Sequence, residues 1–268
     1  MKKIAALFIT FIFAGSAFAA DIDLGEGCHV QDGFSNVLIT SSDGTAIQNA
    51  VERIKDGGTI ELSGDFKLNK TINIKKNLTI RGVNNAVLER IQAAGTDRVI
   101  RCQGNITLEN LTITGGYSLN GGGVKLDGGT VKIISCDIYG NTGVLGGGGI
   151  HSQAEDFTLT NSKISNNISA FTGGGISAIR GSITMISCDI ISNEAQLYGG
   201  GVVAVSSTIT MNECKITENS ASNDGKDKGK GGGVALIKAS LTSSDCDISG
   251  NTAPQSGDVY YDADSTVQ

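Results

Sequence analysis

Five glycine triads, each followed by Val or Ile, end at Gly123, Gly149, Gly175, Gly201 and Gly233, at spacings of 26, 26, 26 and 32 residues. Asn141, Asn167, Asn193, Asn219 and Asn251 keep the same spacings. A phosphate-cradling glycine loop occurs once and joins a strand to a helix. This feature recurs, and its period belongs to stacked repeat architectures in which each unit contacts only its neighbours. The repeat therefore narrows the fold before composition is considered.

Aligning the repeats shows which positions are apolar. One column reads Val131, Phe157, Ile183, Ile209 and Leu241, and two residues later it reads Ile133, Leu159, Met185, Met211 and Ser243. The position between them is Lys132, Thr158, Thr184, Thr210 and Thr242. Alternation of period two marks a β-strand with one buried face. A second strand carries Ile138, Ile164, Ile190, Ile216 and Ile248, and a third begins after each glycine triad. Three short strands per 26 residues, none long enough for a helix, describe one turn of a parallel β-helix. Leucine-rich repeats have a comparable period but require Leu at fixed positions, which this chain lacks.

Stacking places equivalent residues about 4.8 Å apart. At that spacing the asparagines are expected to form a ladder, each amide donating to one neighbour and accepting from the other. The competing role for them is as sugar ligands. The column Asp137, Lys163, Asp189, Lys215, Asp247 alternates in sign from coil to coil, which places opposite charges side by side and is expected to fix register. Glycine at each corner allows positive φ and close backbone approach, so the triads read as scaffold.

Upstream, "TINIKKNLTIRG" from Thr71 and "NITLENLTITGG" from Asn105 continue the strands with less glycine. Thr45-Ala46-Ile47-Gln48 has the form of a capping box. Ile47, Ala50, Val51 and Ile54 mark one helical face, and Gly57-Gly58 closes it. A short N-terminal capping helix is thus expected over 45–58, with the regular GGG[VI]/IxxN repeats over 121–268 of a single domain, 20–268. One coil is six residues longer, at "SNDGKDKGKGGG" (Ser222 to Gly233). Its polar loop offers Asn223, Asp224, Lys226, Asp227 and Lys228 as a candidate partner contact, because insertions on one face of a solenoid often bind. At the other end Val259 and Val267 begin a further coil. Its open strand edge is a candidate surface for self-association.

Residues 1–19 read as a secretory leader. Lys2 and Lys3 precede the apolar run Ile4 to Phe13, and Ala17-Phe18-Ala19 gives an A-x-A site with cleavage between Ala19 and Ala20. The expectation is an exported protein, secreted or at the outer cell surface or in the periplasm, with no transmembrane helix. The formal net charge is −6 and the leader carries only positive charge. This acidic balance, without a basic cluster, argues against nucleic acid as a partner.

Four of the six cysteines, Cys136, Cys188, Cys214 and Cys246, share one column in which Ser162 fills the gap. Parallel side-chain vectors suit a disulfide poorly, so the expectation is a buried column of small thiols. Cys28 and Cys102 make the better candidate pair. The two histidines, His29 and His151, lie in no metal-ligand spacing, so no metal and no cofactor are expected.

From about Ala46 onward the chain resembles the pectin-lyase-like right-handed parallel β-helix family. From Gly121 its repeats are similar to those of polymorphic outer-membrane proteins, with GGG[VI] in place of GGA[ILV] and IxxN in place of FxxN, as in "IYGN" (Ile138 to Asn141) and "ISGN" (Ile248 to Asn251). The fold class expected is all-β, a right-handed parallel β-helix of about 26 residues per coil. The resemblance implies an adhesin-like binding role towards a host or cell-surface protein or glycan. Those proteins end in a membrane β-barrel, which is not expected within these 268 residues. The alternative is a polysaccharide lyase or hydrolase of the same fold. A hydrolase needs two carboxylates at working separation, whereas the recurrent acids here are interleaved with lysines. The "NTD", "DD" and "DPHE" signatures of enzymes on this fold and any Trp are missing. No catalytic residue is assigned. A third reading is ice binding by the hydroxyl pairs Ser182/Thr184, Thr208/Thr210 and Ser240/Thr242, which Asp156 and Lys132 interrupt.

Overall fold

A computed structural model describes residues 35–40, 44–90, 97–223, 225 and 228–268. The leader, Cys28 and His29 lie outside the described residues, as do Asp224, Lys226 and Asp227 of the insertion.

Every strand pair is parallel, and each coil pairs with the next. The columns read from the sequence are in register: Val131, Phe157, Ile183, Ile209 and Leu241 are successive partners, as are Ile138, Ile164, Ile190, Ile216 and Ile248. These side chains, together with the residues after each triad, form one apolar core down the axis. A one-residue slip would turn each strand's apolar set outward, so burial fixes the register.

The described strands form three sheets of 15, 8 and 5 strands. The long sheet contains two strand columns that diverge after Ile106–Thr114, whose single run pairs with both Thr130–Ile134 and Asp137–Tyr139. In later coils the chain bends between these columns through a left-handed residue, for example Ser135, Asn161 and Ser187 with φ of 52°, 48° and 51°. The second sheet holds the strands that follow the glycine triads. The third, from Tyr117–Asn120 to Ser220–Ala221, adds a fourth strand per coil that the sequence did not disclose. Three of its members are two residues long, too short for alternation to show.

The helix spans Gly44–Arg53, not 45–58, and Gly58 already opens the strand Gly58–Leu68. Ile54 turns into the core against Gly58, where a Cβ would sit 2.7 Å from the Ser35 carbonyl oxygen. Thr45 therefore lies inside the first turn and not at the cap. Gln48 reaches the next coil: its Oε1 accepts from Asn73 N at 2.8 Å and its Nε2 donates to Asn73 O at 3.4 Å. This one amide supplies the partners that a preceding strand would give. Lys76 Nζ donates to the carbonyls of Glu52 and Ile54 at 3.0 and 2.9 Å, satisfying groups left open at the helix end. The helix thereby covers the first edge of the second sheet, an edge that would otherwise template further pairing.

Candidate functional site: a basic groove beside the helix

Between the helix and the outer face of the second sheet runs a groove of about 1080 Å³. Lys70, Lys75, Lys76, Arg98 and Arg101 line it, against the carboxylates of Glu52 and Asp97. Alternation explains how it is built. In the strands Ile72–Ile74 and Ile100–Cys102 the outer residues enter the core, so Asn73 and Arg101 point outward in register. The same outward column continues with Lys125, His151 and Ser177.

Stacked cations repel, and Asp127 offsets this. Its carboxylate takes Arg101 Nε and, at 2.8 Å, Lys125 Nζ. Burial alone would raise the Asp127 pKa, but these hydrogen bonds and charges hold it below its ordinary value. Arg98 donates to Ser118 Oγ at 2.7 Å, and burial, aided by the charge of Arg101, lowers its pKa. Asp97 is bonded to Arg90 at 2.8 Å. The groove therefore presents positioned guanidinium and ammonium groups, while its two carboxylates are engaged, Glu52 by Gln48 Nε2 at 3.2 Å.

Beyond Lys125 the outward column is covered. His151 is only 4% exposed, and Val203 and Ala235 are buried although they point outward. The glycine corner passes over them: a Cβ on Gly231 would come within 3.1 Å of the Ala235 Cβ. His151 Nδ1 is buried without a partner. Burial first, and then the charge of Lys125, pull its pKa down to about 4. It is a neutral imidazole next to a cation ladder.

A family model for the right-handed β-helix region matches residues 99–268. The chain belongs to the right-handed β-helix family. The match covers most of the described coils of this β-helix protein but not the helix and the groove's lysines. No curated protein sequence matches it. Among solved structures it is similar to the alginate lyase from Paenibacillus sp. str. FPU-7, at 16% identity and a TM-score of 0.45 over 85% of this chain and 100% of the other.

The residues singled out from sequence fall elsewhere in the β-helix protein. Asn223 stands at the neck of the insertion, where Gly229 N donates to its carbonyl at 2.6 Å and Gly225 N to its side chain at 2.9 Å. Lys228 is exposed. The expected asparagine ladder is present and buried, so these residues are scaffold. The Asp/Lys column is in register, yet no ion pair joins its members among the described residues. Burial raises the Asp137 pKa, Lys163 only partly opposes this, and Asp137 Oδ1 has no hydrogen-bond partner. The column does not lock the coils as expected. Cys102, Cys136, Cys188 and Cys214 are buried and unbridged, and Cys246 is unbridged and half-buried.

The expected absence of a basic cluster is corrected: five cations gather on the groove. Its signal was visible in "KLNKTINIKKN" (Lys67 to Asn77), four lysines in eleven residues of an acidic chain. Two of them, Lys70 and Lys75, are exposed on the groove.

Proposed function

We propose that this β-helix protein is an exported, non-catalytic binding module that holds an acidic glycan chain in the groove beside its helix. The observation that carries this is the collection of five cations on one groove of a chain whose net charge is −6. A groove with fixed donors and bonded carboxylates is suited to bind carboxylate or sulfate groups along a polymer, and its own anions are not poised to abstract protons. Among the described residues its lining contains no aromatic side chain, so these offer no platform for unstacked bases.

The test is titration calorimetry with polygalacturonate, a sulfated glycan and a neutral glucan, repeated with single-stranded DNA. Saturable binding to the acidic glycans is expected, weakening as salt rises. The Lys70→Ala/Lys75→Ala variant should bind roughly fivefold to thirtyfold more weakly, since each exposed charge is worth about 0.5–1 kcal/mol and two are removed. Preference for the neutral glucan or for DNA, or release of unsaturated or reducing ends, would overturn the proposal.

A further inference from the structure

At the bend of the long sheet, Cys188, Cys214 and Cys246 occupy successive coils, as the register of the residues after them shows: Asp189, Lys215 and Asp247 are direct partners. Each cysteine follows a left-handed residue, Glu213 at φ 54° and Asp245 at φ 53° in the last two coils, so their side chains leave the backbone alike, and a disulfide there requires one sulfur to swing towards the neighbouring coil. Cys246 Sγ accepts a hydrogen bond from Cys214 N at 3.4 Å, which sets one sulfur beside the neighbouring cysteine's backbone. Paired parallel strands bring Cα atoms about 4.8 Å apart, within the window a disulfide spans. Access separates the candidates: Cys188 and Cys214 are buried, whereas Cys246 is half-buried. The pair Cys214 and Cys246 also brackets the six-residue insertion, the longest stretch of chain between neighbours in this column.

We propose that Cys214 and Cys246 are a modification site that an exogenous small-molecule disulfide converts to an intramolecular disulfide, stapling the coils on either side of the insertion. The Cys246 thiolate attacks one sulfur of the oxidant, forming a mixed disulfide and expelling one thiolate. Cys214 then loses its proton to solvent and attacks Cys246 Sγ, expelling the second thiolate. Two protein thiols are oxidised and one small disulfide is reduced to two thiols. Burial raises the thiol pKa of Cys246, and a hydrogen bond with Cys188 together with burial raises that of Cys214 further, so both steps are slow at neutral pH and accelerate in alkaline buffer.

The test incubates the full chain with glutathione disulfide, followed by intact mass, thiol titration and non-reducing peptide mapping. The expected product has lost two hydrogens, two titratable thiols disappear, the peptides bearing Cys214 and Cys246 are joined, and the melting temperature rises by about 5–10 °C. Cys246→Ser should show none of these changes, and Cys188→Ser should show all of them. Both variants are expected to fold, because Ser162 already fills this column and its Oγ accepts from Cys136 N at 3.0 Å. A lasting glutathione adduct on Cys246, a link between Cys188 and Cys214, or unchanged thiols would overturn the proposal.

Discussion

Asn167 bonds in three directions. Its Oδ1 accepts from Asn141 N and Nδ2 at 3.0 and 3.1 Å, and its Nδ2 donates to Asn193 Oδ1 at 3.0 Å and to Ile138 O at 2.9 Å. Every rung repeats this polarity, and the series ends on the Asp258 carboxylate, which accepts from Asn251 N and Nδ2 at 3.0 Å each. An unmade bond at a buried polar group costs about 1–3 kcal/mol, so the ladder's value lies in leaving none. His151 is the contrasting case, a buried polar ring with one nitrogen unpartnered. Its pKa falls to about 4 from 6.5. Between those values the unfolded chain binds a proton there and the folded chain does not, so stability present at neutral pH is lost as pH falls through that window. The contribution is about 3 kcal/mol. Thermal melts from neutral pH down to about 4 should therefore show a steeper loss for the wild type than for His151→Asn. Parallel curves would mean that His151 is not what titrates.

At the scale of elements, the glycines divide by duty. The first of each triad takes positive φ, as Gly173 does at 62°, while Gly174 is needed for closeness. A Cβ on Gly174 would collide with the carbonyl of Glu194 and sit 2.5 Å from that of Gly200 in the next coil. Both are backbone atoms held by strand pairing and cannot yield locally. Gly174→Ala is expected to cost about 3 kcal/mol or more. Gly250 also has positive φ, at 67°, but a Cβ there meets nothing within 4 Å. Asn166, Ser192 and Glu218 hold the equivalent corner in earlier coils with φ of 53°, 54° and 59°. Gly250→Asn should thus shift stability by less than about 0.5 kcal/mol. Chemical denaturation of the two variants side by side checks the contrast, and equal losses would refute the division.

Across the whole molecule, stability comes from coil-to-coil repetition, and departures from the repeat can be removed where the repeat closes without them. Asn223 follows the register of Leu197 and Lys230 that of Tyr198, so the extra residues are 224–229. Lys230 belongs to the coil: its ammonium lies 5.6 and 5.0 Å from the ring centres of Tyr198 and Tyr260. Deleting 224–229 while keeping Asn223 and Lys230 should leave the melting temperature within about 2 °C of wild type. A large drop in differential scanning calorimetry would show the insertion to be structural. The groove is the opposite kind of feature, made by coils that depart from the regular repeat.

The sequence alone determined the solenoid, its inward columns and their register, because those positions must recur at a fixed spacing to stay buried. It also disclosed the asparagine ladder, whose bonds need only identical residues stacked at strand spacing. The outward positions obey no such rule. Whether Lys125 and Arg101 stay partly open or His151 and Val203 are covered depends on which neighbouring segment crosses that face, and periodicity carries no information about that. The two-residue strands of the third sheet and the early end of the helix at Arg53 were likewise decided by contacts between coils. Only the tertiary structure could gather Lys70, Lys75, Arg98 and Arg101 into one groove, because its geometry comes from a helix standing where the next strand would have been.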